Sequence, residues 1–94
     1  MATIIGTGRI DRPDLLTPEL VKAENAALIE LGRIGAVDAA FMHEGRTEFT
    51  LLLTVDSIEA AAGVLQQLPL VSGGQLRMTY AVVEPLLTPA WSSR

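Results

Sequence analysis

Three observations predict an α+β fold in the order β-α-β-β-α-β. Strand-like segments occupy 2–10, 37–43, 47–55 and 75–83, helix-start chemistry stands at Thr17 and Asp56, and tight reversals are available at Glu44-Gly45-Arg46 and Gly73-Gly74. That order is the split βαβ or ferredoxin-like arrangement, a four-stranded antiparallel sheet with two helices on one face. The 94 residues make one domain's worth of chain, read as a single domain over 1–86 with a short C-terminal tail at 87–94.

The first strand, ATIIGTGRI, mixes β-branched residues with two glycines, and its alternation puts Ile4, Gly6, Gly8 and Ile10 on one face. Helix one is expected over 18–31. Thr17 caps it, Pro18 suits its first position, Glu19 suits the positive end of its dipole, and Gly32 is available as a left-handed cap. VDAAFMH and TEFTLLLTV form a hairpin whose turn is assigned to glycine, with Phe49, Leu51, Leu53 and Val55 on one face of the second strand. In the first strand of the hairpin, alternation from Val37 puts Ala39, Phe41 and His43 on one face. Asp56 and Glu59 make an Asp variant of the capping box, opening a helix with Ile58, Ala61, Ala62, Leu65 and Leu68 on one stripe and Pro69 as its stop. The last strand alternates with Leu76, Met78, Tyr80 and Val82 on one face.

Composition narrows the function classes. The chain is 49% hydrophobic with a net charge of −4, and its seven Lys and Arg residues are scattered, so no basic field for nucleic acid is expected. No apolar run approaches the roughly 18–20 residues a membrane span needs, and the start lacks the pattern of a signal peptide, so a cytoplasmic protein is expected. Cysteine is absent and histidine occurs once, which argues against a metal site; no cofactor is expected either. The GTG of strand one is followed by Asp11 and Pro13 rather than a third glycine and a helix, so dinucleotide binding is not supported. With helices on one face only, the other face of the sheet is bare. It is expected to carry Ile5, Ala40, Met42, Leu52, Ala81 and Val83, and a second copy of the chain is the expected cover. The tail, with Leu87 and Trp91, is expected to lie across a neighbouring subunit.

Candidate site residues follow from what faces inward. On a helical wheel Glu24 falls among Ala27, Leu28 and Leu31, at the centre of the apolar stripe of helix one. A carboxylate aimed at a sheet is costly unless paired or protonated, and burial raises its pKa toward the range useful for proton transfer. The competing reading pairs it with an arginine or lets it reach water at the helix edge. His43 suits acid or base chemistry near neutral pH, against a solvated histidine beside the turn. Tyr80 suits ligand orientation, against a core tyrosine tipped toward water. Gly6 and Gly8, without side chains, are expected either to leave a hollow beneath helix one or to allow close packing. A mainly apolar pocket bounded by Gly6, Gly8, Phe41, Phe49 and Met78, with Glu24, His43 and Tyr80 as catalytic candidates, suits a small unsaturated or cyclic organic ligand.

VDSIEAAAGVLQQLPL at 55–70, followed by a strand ending in Val83-Glu84-Pro85-Leu86, resembles the muconolactone isomerase family, in which an acidic-Ser helix start leads to a Leu-Pro-Leu exit and the last strand closes on a similar Pro-Leu. The likeness extends more loosely to Leu31-Gly32-Arg33 and EFTLLLTV at 48–55, about two thirds of the chain. It implies a dimeric α+β barrel, oligomerisation through sheets and tails, and an isomerase that moves a proton on an unsaturated lactone. The connection LVSGGQL is longer here than in that family, and no catalytic set of the family maps onto this chain residue by residue. Two other readings stand beside it: a noncatalytic dimeric module that binds a small molecule or stabilises a partner, and a cofactor-independent monooxygenase on the same fold.

Overall fold

The computed structural model describes residues 2–84; the expectation for a tail at 87–94 lies outside them. The strands are β1 (Ala2–Ile10), β2 (Ala39–Met42), β3 (Glu48–Val55) and β4 (Leu76–Val83), and the helices are α1 (Pro18–Arg33), α2 (Ile58–Leu65) and the short α3 (Pro69–Ser72). The sheet is antiparallel in the order β2-β3-β1-β4, so the fold is α+β and ferredoxin-like. No described helix is long and apolar enough to cross a membrane.

The helices cover the face that carries Ile4, Gly6 and Gly8 of β1 and Leu51 and Leu53 of β3. Ile4, Leu51 and Leu53 are fully buried there against Leu31 of α1, Ala61 and Leu65 of α2, Val37 and Leu68. Apolar burial at the sheet–helix seam is thus the main stabilising term, at about 1.5–3 kcal/mol per large aliphatic side chain.

α1 starts as the sequence implies, with the Thr17 hydroxyl accepting from the Leu20 N–H at 3.1 Å. Its end differs. The helix continues past Gly32 to Arg33, and Gly35 takes the left-handed conformation with φ of 79°. The continuation lets the C=O of buried Leu31 accept from the N–H groups of Ala36 and Val37, which satisfies a carbonyl that the apolar core would otherwise strand.

α2 is capped by Ser57, not Asp56: the Ser57 hydroxyl accepts from the Ala60 N–H at 3.1 Å. Ser57 is extended and one residue closer to the helix, so the frame of the cap moves on by one and its side chain takes the Ala60 N–H in place of the Glu59 N–H that the Asp56 pattern implies. Ile58 lies at the rim, 37% exposed, rather than in the core. Pro69 also has a different role. α2 stops at Leu65 and a turn carries the chain to Leu68, from which Pro69 opens α3 as its first residue, a position where its missing N–H costs nothing.

β2 corrects the face assignment of its residues. Val37 is buried on the helix side, but the Asp38 carboxylate accepts from the Thr54 hydroxyl on the opposite face, and Ala39 pairs with Leu52 on that same face. Two successive residues thus point the same way, and the alternation slips by one. Ala40 and Met42 pair with Leu51 and Phe49 and belong to the helix face, whereas Phe41 pairs with Thr50 on the open one.

Candidate functional site

A cavity of about 440 Å³ lies at one end of the sheet–helix seam, between α1, the Leu68–Leu70 segment, the start of β4 and the β2–β3 hairpin. Its lining is apolar except for Glu24, Asn25 and Arg46. The volume falls within the range of small-molecule sites, and apolar walls with a few polar groups are their usual chemistry.

Glu24 owes its place to the period of α1. It sits on the same side as Ala27, Leu28 and Leu31 and is 8% exposed, the one charged residue buried among the described residues. Its Oε1 accepts a hydrogen bond from the Leu70 N–H at 3.0 Å, one of the first N–H groups of α3 and therefore free of any helical partner. Among the described residues no cation lies within ion-pair distance of it. Burial pushes its carboxyl above the ordinary range, and the Leu70 N–H offsets this only in part. The arrangement disfavours the charged carboxylate, so Glu24 keeps its proton to higher pH than a solvated glutamate does.

The paired glycines do not form the floor of this cavity. A Cβ on Gly8 would stand 2.5 Å from Phe49 Cζ and 2.8 Å from Met78 Sδ, and one on Gly6 would stand 3.2 Å from Met78 Cε and 3.4 Å from Tyr80 Cε1. The space without side chains in β1 is filled by neighbours across the sheet, so the glycines permit close packing. Phe49 connects the two regions, because its ring lies over Gly8 and also lines the cavity. Gly6, Gly8, Met78 and Tyr80 are outside the cavity wall. Tyr80 is half-buried beside Gly6, with its phenol pushed up by burial.

His43 falls on the other side of the sheet. Its Nε2 is 2.7 Å from the Thr50 hydroxyl and its Nδ1 is 3.5 Å from Glu48 Oε2, and Thr50 and Glu48 both belong to the open face. The slip at Asp38 explains this, since it moves Phe41 and His43 together. Phe41 nevertheless borders the cavity, because it sits at the exposed edge of the sheet where the mouth opens. Of the residues singled out in the sequence, Glu24, Phe41 and Phe49 therefore meet at one site.

Asn25, Leu70 and Arg46 are site residues that sequence reasoning missed. Leu70 was legible only as an apolar residue after a proline, and its contribution is a backbone N–H. Arg46 stands in the hairpin turn, where the Arg46 N–H donates to the His43 C=O at 3.0 Å and Arg46 itself has φ of 59°. Glycine was expected to supply that conformation, and Gly45 does not.

The helix-covered antiparallel sheet with an apolar, carboxyl-bearing cavity at its seam defines a ferredoxin-like α+β scaffold with room for a small molecule. Among solved structures the chain is similar to muconolactone isomerase, with a TM-score of 0.74 and 18% identity over 94% of each chain. It is also similar to a protein from Agrobacterium tumefaciens, with a TM-score of 0.55 and 18% identity over 90% of this chain and 93% of that one. The fold is thus muconolactone isomerase-like, as the resemblance at 55–86 implies. No protein-family model matches the chain, and no curated protein matches it by sequence.

Proposed function

We propose that the protein is a small-molecule isomerase that moves a proton on an unsaturated lactone or a similar compact organic compound, with Glu24 as the group that carries the proton. The observation that supports this reading most is a buried carboxyl, without an ion-pair partner among the described residues, on the wall of an apolar cavity in a muconolactone isomerase-like fold. In its ionised form Glu24 takes a proton from a carbon next to the conjugated system of the ligand. The electron pair of the broken C–H bond moves onto the carbonyl oxygen, the carboxyl exchanges the proton it has taken with water, and it then returns a proton at the other end of the system. The step is balanced with no oxidant and no cofactor. The raised pKa of Glu24 suits it to both halves, since a base too weak to take the proton or an acid too weak to return it would stall one of them.

The noncatalytic reading would be favoured by a filled seam with Glu24 ion-paired, and the described residues have a cavity and no such pair. The protein is further proposed to work as a homo-oligomer through its open sheet face. Deuterium exchange into the simplest butenolide in heavy water tests the catalytic role: wild type exchanges the ring proton, Glu24→Gln does not, and both keep the same native mass. Exchange at the wild-type rate in the Gln variant removes Glu24 from the mechanism.

A further inference from the structure

Proton removal beside a lactone carbonyl creates a negative oxygen, and the one O–H that Glu24 then carries is committed to the carbon it must reprotonate. Donors are few on the cavity wall. Among the described lining residues only Asn25 and Arg46 carry a side-chain donor, and only Arg46 carries a positive charge. Arg12, Arg33 and Arg77 each have a carboxylate at ion-pair distance, from Asp14, Glu30 and Asp11, whereas Arg46 has none among the described residues. Arg46 is also the one non-glycine described residue in left-handed backbone. Such a conformation costs a residue with a Cβ about 1–2 kcal/mol, in a turn where the preceding residue is a glycine, and strain of this kind concentrates at functional positions.

We propose that Arg46 is the electrophilic partner of Glu24: its guanidinium meets the carbonyl oxygen of the ligand and holds the enolate that forms when the proton leaves carbon. This rests on the proton-transfer reading above and adds the residue that stabilises its intermediate. A guanidinium presents several fixed donors to an oxyanion; Arg46 is exposed in the hairpin turn, so its charge is partly screened by water until a ligand covers it. The left-handed turn puts the residue at the mouth, so the charge closes over the oxygen of a ligand whose carbon skeleton lies among the leucines.

Tetronate, a five-membered enol lactone that is an enolate anion at neutral pH, serves as a stable mimic of the intermediate, and the neutral butenolide serves as its uncharged control. Calorimetry on wild type and Arg46→Gln is expected to show tetronate affinity falling roughly ten- to hundredfold in the variant, the worth of a hydrogen bond to a charged group, with butenolide affinity falling several times less. Arg46→Lys recovers part of the loss, and Arg46→Gly, which suits the turn, folds normally yet binds tetronate as poorly as the Gln variant. Should Arg46→Gln bind tetronate as wild type does while Glu24→Gln still abolishes deuterium exchange, this inference alone is overturned. Absence of exchange in wild type overturns both.

Discussion

Gly8 ties a packing detail to the size of the cavity. A methyl group there would meet the Phe49 ring and the Met78 sulfur well inside contact distance, and the open space next to that ring is the cavity itself. Gly8→Ala is therefore expected to cost about 1–3 kcal/mol, the usual range for overpacking, and to turn Phe49 into the cavity. Denaturant unfolding and calorimetry with a lactone check the two parts, and a stable variant with full ligand affinity would contradict both. Gly6→Ala meets the flexible end of Met78 and is expected to be milder. Glu24 carries a pH signature. Its folded carboxyl lies above the ordinary value of the unfolded chain, so the folded state holds the proton more tightly. The stability this contributes is fully present below the unfolded pKa and is lost as pH rises through the folded one. Glu24→Gln keeps an acceptor for the Leu70 N–H but has no charge to bury, so its stability relative to wild type is expected to increase as pH rises from the ordinary carboxyl value through the raised folded one. A difference that stays constant with pH over that range would mean that the carboxyl is not desolvated. The inward position of Glu24 was legible because helical period alone sets it. Its partner was not, since a backbone N–H from a segment 46 residues away leaves no mark on local sequence.

The elements were legible wherever local chemistry decides them and misread where neighbouring chemistry competes. Asp56 and Ser57 are both good caps, and the choice between them depends on which residue is extended at the point where the helix begins. Ser57→Ala is expected to cost about 1 kcal/mol in unfolding free energy and Asp56→Ala clearly less; the reverse order would restore the Asp56 box. In β2 the alternation of apolar residues looks regular in the sequence, yet Asp38, whose carboxylate accepts from the Thr54 hydroxyl, and Ala39 both face the open side. The chain bends at Asp38 and β2 begins only at Ala39, so period two does not run through from Val37, and the faces of Phe41 and His43 change with it. The hairpin turn is a third case. Its i to i+3 bond is formed, but the left-handed residue follows the glycine instead of being it. A turn followed by a left-handed residue is a common hairpin solution that normally puts glycine at that last position.

At the scale of the molecule, the open face of the sheet has an order that bears on assembly. In register across the four strands stand Ala39, Leu52, Ile5 and Ala81, then Phe41, Thr50, Thr7 and Thr79, while Glu48, Arg9 and Arg77 line up at one end near His43. The apolar row loses little on dehydration, the hydroxyls of Thr50 and Thr79 already have partners within the chain, and the row with two arginines side by side would be costly to bury. A second copy is therefore expected to centre on Leu52 and Ile5 and to leave the charged end at the rim, the usual division between an interface core and its border. Leu52→Arg puts a charge at that centre without touching the buried core on the other side. Native mass spectrometry is expected to find wild type at a multiple of 10.0 kDa and the variant at the single-chain mass, with the same circular dichroism spectrum in both. A wild-type protein that runs as a single chain, or a Leu52→Arg protein that keeps the assembled mass, would show that this face is not where subunits meet.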